Sequence, residues 1–200
     1  MRRRRSQSGM AVIEFTLSTA FLIPMLLGTF VFGFRLIRAI QMTQITRDLG
    51  HMYVRGVPFR NSGPQQNAAT LASGFNLTAT GTSDVVLSQI RLVQQSDCDA
   101  VDPAGTHCTN LDKPAFIEQL VIGNPSAGTS RFGTPPTSGG TVSATDFANN
   151  AASQATNFQP SIMTLSAGVV AYMAEMNNQT PDLNVPGFSG QPLVYERAIF

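Results

Sequence analysis

The sequence contains little of what catalytic and metal sites are made from. Charged residues make up 12% of its 200 residues, tryptophan is absent, and there are two histidines and two cysteines. His51 and His107 lie far apart, and no serine elbow, Walker loop or H-E-x-x-H zinc motif accompanies them. The sequence therefore predicts a protein that is not an enzyme and that carries no cofactor.

The net charge of +1 conceals an uneven distribution. Four of the 13 basic residues are Arg2 to Arg5, and the remaining 9 basic and 12 acidic residues give the rest of the chain a net charge near −3. A nucleic-acid-binding domain is normally basic, so nucleic acid is not an expected partner. The abundance of Thr, Ser, Asn and Gly suits a secreted, turn-rich domain that contains β-structure.

The most informative segment is the apolar run that follows the arginines. No charged residue occurs from Phe15 to Phe34. Twenty residues of helix span roughly 30 Å, the thickness of the hydrocarbon core of a bilayer. A secretory signal peptide has a shorter apolar region of about 7–15 residues, which ends at a small-residue cleavage site. The run therefore predicts a membrane-spanning helix that stays in the protein.

Glu14 stands at the start of this helix, where a carboxylate is costly to remove from water. If the chain is cut after Gly9, the new α-amine of Met10 lies one helical turn from Glu14 and can pair with it, within one copy or between neighbouring copies. The carboxylate would then also complement the helix dipole in the first turn. The alternative is an interfacial glutamate solvated by lipid headgroups.

The N-terminal pattern consists of a basic leader that ends at Gly9, four further residues, the pair Glu14-Phe15 and an apolar helix. This pattern resembles the prepilin signal of type IV pilins. The Glu-Phe version is similar to the Flp (tight adherence) subclass and its TadE-like minor pilins. The resemblance implies that a membrane aspartyl peptidase cleaves after Gly9, that Met10 becomes the mature terminus, and that Glu14 and Phe15 act in subunit docking. It implies as partners the prepilin peptidase, other pilin or pseudopilin subunits, inner-membrane pilus assembly proteins and membrane lipid.

The remaining pattern predicts an α+β fold. We expect a leader at 1–9, a transmembrane helix with an amphipathic extension at 10–53 that closes near Gly50, and a domain at 54–200. Expected elements of the domain are a short helix at 65–73 and strands at 84–94, 115–123, 167–177 and 193–200.

The long helix would pack on a small antiparallel sheet of about four strands, which is also the pilin architecture. Segment 167–177 fits a helical face as well as a strand, and Gly168 with the β-branched pair after it favours the strand. Segment 124–160 is rich in Gly, Ser, Thr, Asn and Pro and predicts a long surface excursion. Pro24 and Gly28 would mark a kink or local unwinding of the membrane helix, or an ordinary proline kink.

Cys98 and Cys108 flank a turn-rich stretch and predict a disulfide. A disulfide requires an oxidising compartment such as the periplasm. Together with the arginine leader, this predicts a single-pass protein of the bacterial inner membrane with its N-terminus in the cytoplasm and its C-terminal domain in the periplasm. A zinc site with His107, or a calcium site with the aspartates near Cys98, are weaker alternatives because the ligand sets are incomplete.

The sequence thus predicts a structural minor pilin or pseudopilin of a Flp-type pilus, with incorporation into a surface pilus and a part in cell adhesion as further hypotheses. One alternative is an uncleaved single-pass assembly factor of the inner membrane. Another is a membrane-anchored periplasmic binding module that recognises a ligand through 124–160.

Overall fold

One helix, α1, runs from Gln7 to Val54, a length of 48 residues, or roughly 70 Å. The computed structural model describes residues 7–103, 108–179 and 193–200. Helix α1 ends in a Schellman motif, in which the amide of Val57 bonds to the carbonyl of Met52 and the amide of Gly56 bonds to that of Tyr53. Gly56 has a φ of 81°, which favours glycine at this position. The expected stop near Gly50 was wrong by one turn.

The elements after α1 are short helices and ten- or seven-residue strands. The described helices are α2 (Ser62–Leu71), α3 (Gln95–Val101) and α4 (Ala144–Asn149), with a 3-10 turn at Ala151–Ser153. The described strands are β1 (Ser83–Leu92), β2 (Pro114–Gly123), β3 (Val170–Gln179) and β4 (Leu193–Ile199). All four predicted strands are confirmed, whereas α3 and α4 were not predicted.

The strands form one antiparallel sheet in the order β2-β1-β3-β4. Val85 of β1 lies opposite Ile122 of β2 and Met176 of β3, so these three side chains share a face. Helix α1 covers that face and packs mostly on β3 and β4. Its buried residues recur at helical spacing and form one stripe: Met42, Ile45, Leu49 and Tyr53. The predicted α+β layering of a long helix on a sheet is confirmed.

The second face of the sheet is covered by the chain between β2 and β3. Phe132, Phe147 and Phe158 of this segment are buried together with Ile90 of β1 and Met173 of β3 in a second core. The segment is therefore not the surface excursion that its composition predicted. Its apolar residues are spaced too irregularly for a helix or strand pattern, and glycine and proline separate them, which is why periodicity did not reveal them.

The same segment closes the outer edge of β2. Backbone hydrogen bonds join Gln119 to Gly140 at 2.8 Å, Val142 to Ile117 at 2.9 Å and Ala155 to Pro114 at 2.9 Å. An uncovered strand edge is a template for aggregation, so these bonds protect the sheet on that side.

Replacement of Phe158 tests whether 124–160 is core. Phe158 is fully buried, and its ring meets that of Phe132 edge-on, with centroids 5.8 Å apart. Phe158→Ala should lower the free energy of unfolding by about 3–5 kcal/mol, because it leaves a large apolar cavity. The measurement is urea unfolding of the full-length protein in detergent micelles, followed by the fluorescence of its three tyrosines.

Thr137→Ala is the matched control, because Thr137 lies in the same segment but is exposed. Its effect should stay within about 0.5 kcal/mol. A loss below about 1 kcal/mol for Phe158→Ala would show that the segment is a surface excursion after all.

Candidate functional site in the N-terminal helix

The predicted cleavage and docking residues all lie in the first turns of α1. Gly9, Met10, Glu14 and Phe15 are helical and exposed, and no atom lies within 4 Å of the position where a Cβ at Gly9 would stand. Met10 and Glu14 are one turn apart on the same side of the helix. The Gly9–Met10 peptide bond lies within the described helix, two residues after its first described residue, Gln7. Glu14 reaches the first turn only in a chain that begins at Met10.

The apolar part of α1 has the properties of a membrane span. The helix from Gly9 to Val54 is long and apolar enough to cross a bilayer, and its most apolar window has none of its residues buried inside the domain. Three threonine hydroxyls in this part donate to the carbonyl four residues earlier, at 2.7–2.8 Å, and so need no water: Thr16, Thr19 and Thr29. The helix continues through Pro24 and Gly28, so neither residue unwinds it.

Glu118 ties the end of α1 to the sheet. Its carboxylate accepts hydrogen bonds from the Tyr53 hydroxyl at 3.0 Å, the Gln89 amide at 2.9 Å and Arg60 Nε at 2.7 Å. The ring of Tyr53 also meets that of Tyr172 edge-on, with centroids 5.6 Å apart. Helix α1, β1, β2 and β3 are joined at this one point, which fixes how the helix lies on the sheet.

Gly50 makes room for Phe200. A Cβ at Gly50 would collide with the Phe200 ring, which also contacts the His51 ring in a tilted arrangement with centroids 4.6 Å apart. Backbone hydrogen bonds between Phe200 and Tyr172 hold the ring in place. The glycine that the sequence suggested as a helix stop thus serves close packing between α1 and the end of β4.

Cys98 and Cys108 form a disulfide, with Cα atoms 5.6 Å apart, inside the usual range for such a bridge. Cys98 is buried and belongs to α3, which the sequence reading treated as a loop. The bridge fastens α3 to the chain that leads into β2.

The aspartates near Cys98 already have partners. Asp97 forms an ion pair with Arg91 at 2.8 Å and accepts a hydrogen bond from a backbone amide at the start of α3. Asp99 accepts from the Gln95 amide at 2.8 Å. In the described part of the chain, no group of three or more His, Cys, Asp or Glu side chains could hold a metal ion. His107 lies outside the described residues.

Two fully buried carboxylates were missed from the sequence: Asp84 on β1 and Glu175 on β3. Oε1 of Glu175 accepts from the Tyr195 hydroxyl at 2.6 Å and from the Arg131 backbone amide at 3.0 Å. Oδ2 of Asp84 accepts a long bond of 3.4 Å from the Asn177 amide. The second oxygen of each carboxylate has no hydrogen-bond partner among the described residues. The signal that could have revealed this pair is an acid inside each of two apolar strands.

The surroundings of these carboxylates change their acidity. Burial, together with the nearby charge of Glu175, raises the pKa of Asp84 to about 6, although the hydrogen bond from Asn177 acts in the opposite direction. Burial and the charge of Glu175 also raise the pKa of the Tyr195 hydroxyl above its ordinary value. The sheet therefore holds a carboxylate that binds a proton more readily than a solvated one.

Comparison with known protein families, with curated proteins and with solved structures gives no match for this chain. Its geometry defines the class of protein: an α+β domain built onto the end of one long helix, whose apolar part could cross a membrane.

The raised pKa of Asp84 predicts an unusual pH dependence of stability. Because the folded-state pKa of about 6 exceeds the ordinary value of 3.8, the folded state binds more protons between these values. The contribution of Asp84 to stability is therefore complete below about pH 4 and is lost as pH rises through 6. Asp84→Asn should stabilise the protein at pH 7.5 by about 1–3 kcal/mol and leave it nearly unchanged at pH 4.

Urea unfolding of both proteins across pH 4–8 measures this difference. Asp99→Asn is the control, because Asp99 is exposed and its substitution should not reproduce the stabilisation at pH 7.5. Equal stability of Asp84→Asn and the parent protein at all pH values would contradict the expectation.

Proposed function

We propose that this chain is a structural minor pilin or pseudopilin of a Flp-type (tight adherence) pilus. It is made as a single-pass inner-membrane protein with its domain in the periplasm, is cleaved after Gly9 by a prepilin peptidase, and joins other subunits through its N-terminal helix. Its function is structural rather than enzymatic.

The observation that carries the proposal is that the two parts of α1 differ in burial. The helix is unbroken from Gln7 to Val54, exposed and apolar along its first part, and buried against a four-stranded sheet along its last turns. We call the exposed apolar part of α1, from Met10 to Phe34, the stem. The stem can contact lipid or the helices of neighbouring copies, while the other end of the helix carries a folded domain. Gly9 and Glu14 stand at the free end of this stem, as the prepilin resemblance requires.

Two features support the proposed membrane topology. The Cys98–Cys108 bridge belongs to an oxidising compartment, and it lies in the domain at the far end of α1 from the arginine leader. An arginine-rich leader favours the cytoplasmic side. Both features support a domain outside the cytoplasm.

The alternatives differ in processing and in the role of 124–160. An uncleaved assembly factor would keep its leader and stay in the membrane. A binding module would need 124–160 as recognition loops, but Phe132, Phe147 and Phe158 build much of that segment into the core. The pilin-like subunit is therefore better supported than the binding module, and processing distinguishes it from the assembly factor.

Gly9→Val tests the cleavage. A side chain at this position obstructs the peptidase, so the variant should keep its leader and remain about 1 kDa larger than the processed protein, which lacks nine residues. The fold should not change, since a Cβ at Gly9 contacts nothing. Mass spectrometry of the protein from bacterial membranes gives the N-terminal residue.

Gly33→Val is the matched control, because Gly33 lies in the same helix and also has no atom within 4 Å of its Cβ position. It should be processed normally. A Gly9→Val protein that still begins at Met10 would overturn the cleavage assignment.

Two substitutions that remove the charge of Glu14 test its role in docking. Glu14→Ala and Glu14→Gln should both enter the membrane at least as well as the parent, because a charge at the start of the apolar helix is removed. Both should be depleted at least fivefold from sheared pilus fractions, because the partner of a neighbouring α-amine is lost. The measurement compares the amounts in membrane and sheared fractions.

Asp48→Ala removes an exposed acid from α1 beyond the apolar part and serves as the control. It should be incorporated like the parent. Normal incorporation of both Glu14 variants would reduce Glu14 to an interfacial residue without a docking role.

A further inference from the structure

The packing of α1 determines which end of the sheet faces the apolar segment. Near its end, α1 contacts the start of β3, through Tyr53 against Tyr172. The buried helix residues before Tyr53, from Met42 to Leu49, share their core with Ala174 and Met176, which lie further along β3 on the same face. Helix α1 and β3 therefore run in opposite directions, and the helix residues before Met42 project past the Gln179 end of β3.

Among the described residues, two loops lie at this end of the sheet; residues 180–192, which connect β3 to β4, lie outside them. Residues 76–82 precede the start of β1, and residues 124–130 follow the end of β2. The loops meet each other, since the Asn124 amide donates to the Gly81 carbonyl at 2.7 Å. Gly128 lies directly over Asn177, near the end of β3, and a Cβ at Gly128 would collide with that side chain. We call residues 76–82 and 124–131 the proximal edge of the domain.

The distance from the proximal edge to the membrane follows from the helix. Met42 is the first buried residue between positions 9 and 54, and Phe34 is the last residue of the uncharged run. Met42 lies eight residues after Phe34, which corresponds to about 12 Å along the helix. The loops extend beyond the strand ends and cover part of that distance. The headgroup layer of each leaflet adds roughly 5–7 Å beyond the hydrocarbon core, so the proximal edge lies at or next to headgroup depth.

The chemistry of the proximal edge suits such a surface. Loops 76–82 and 124–130 contain no acidic residue, and their exposed side chains include Thr78, Thr80, Ser126 and Thr129. Arg131 follows the second loop and is exposed. Of the acids on the neighbouring strands, Asp84 and Glu175 are fully buried, and Glu196, which lies opposite Met176, is partly buried.

Arg131 is held in place without an ion pair among the described residues. Its guanidinium lies over the ring of Tyr195, 3.9 Å from the centroid, and its backbone amide donates to Glu175. Tyr195 pairs with Asn177, two residues before the Gln179 end of β3, so the stacked guanidinium extends from the middle of the sheet toward the proximal edge. Arg38 is one helical turn before Met42 and lies between the apolar run and the domain. On the domain side of the apolar run, the first exposed acid of α1 is Asp48, which lies beyond both Arg38 and Met42.

We propose that the proximal edge rests on the lipid headgroups of the leaflet from which α1 emerges, and that Arg38 and Arg131 bind lipid phosphates there. The inference depends on the membrane span of the proposed function, and it requires neither cleavage nor pilus assembly. Arginine binds phosphate through paired N–H donors, and the hydroxyls of the two loops supply further donors.

The test uses the full-length protein, one copy per nanodisc, with its disulfide intact. The nanodiscs contain phosphatidylcholine and phosphatidylglycerol with a fraction of headgroup-nitroxide lipid. A fluorophore is attached at Thr129→Cys on the proximal edge or, as the matched control, at Asn61→Cys beyond the end of α1, and both positions are exposed. We expect quenching at least threefold stronger at the first site. Equal quenching at the two sites would overturn the proposal.

A third reporter separates this result from the membrane span itself. A fluorophore at Ala20→Cys, in the apolar run, should be quenched by an acyl-chain nitroxide. If it is quenched while the Thr129 and Asn61 sites do not differ, the span stands and only the headgroup contact is wrong. If it is not quenched, the membrane anchor of the proposed function fails as well.

The arginine is tested in the Thr129→Cys background. Arg131→Gln should lower the ratio of headgroup-contacting to free domains about fivefold in discs that contain phosphatidylglycerol, and less in pure phosphatidylcholine. Arg55→Gln, an exposed arginine at the far end of α1, should leave the ratio unchanged. Equal effects of the two substitutions would overturn the role of Arg131 in lipid binding.

Discussion

The structure depends on a single apolar stripe of α1. Met42, Ile45, Leu49 and Tyr53 are the residues through which the long helix becomes part of the domain core. Burial of such side chains is worth about 1.5–3 kcal/mol each, so the stripe is a large share of the stability of a domain this size. Because the same helix continues into its exposed apolar part without a break, no flexible linker separates the stem from the domain. The position of the domain relative to the stem is therefore set by side-chain packing.

A sheet covered on one face by a helix still needs a cover on the other. The segment between β2 and β3 supplies it and, in doing so, removes the polar residues of that face from water. This arrangement costs stability at Asp84 and Glu175, because each buried carboxylate keeps one oxygen without a partner among the described residues. The Tyr195 hydroxyl and the Arg131 amide reduce the cost for Glu175. The same contacts fasten β4 and the covering segment to the middle of the sheet.

The sequence predicted the parts of the fold that have a simple period. The uncharged run identified α1, and short runs rich in β-branched residues identified all four strands. The bridge between Cys98 and Cys108 followed from there being no other cysteine. Features that depend on contacts distant in sequence were missed. Gly50 was interpreted as a helix stop because nothing local shows that Phe200 packs on it, and Phe158 lay hidden in a composition typical of loops.

The candidate site could be predicted from sequence at all because its residues are contiguous, and their roles in cleavage and docking stay predictions. The structure shows that Gly9, Glu14 and the apolar run lie in the exposed part of α1. The pattern could not show that the helix begins before Gly9, since the leader adds its own turn in the uncleaved chain. Cleavage would therefore do more than shorten the protein, because it would make Met10 the first residue of the helix. The charge of the new amine would then lie one turn from Glu14.

This geometry restricts what changes when such a subunit leaves the membrane for an assembly, as the proposed function requires. The stripe from Met42 to Tyr53 is already buried and would stay on its own sheet. Only the exposed part of α1 would exchange lipid for the helices of neighbouring copies. For purely apolar side chains that exchange has little hydrophobic driving force, because lipid tails and leucine side chains are equally apolar. The free energy that selects partner and register must then come from close packing of the helices and from the few polar groups on the stem. Glu14 is the only ionisable side chain between Met10 and Phe34, so it is where specificity of docking would be expected.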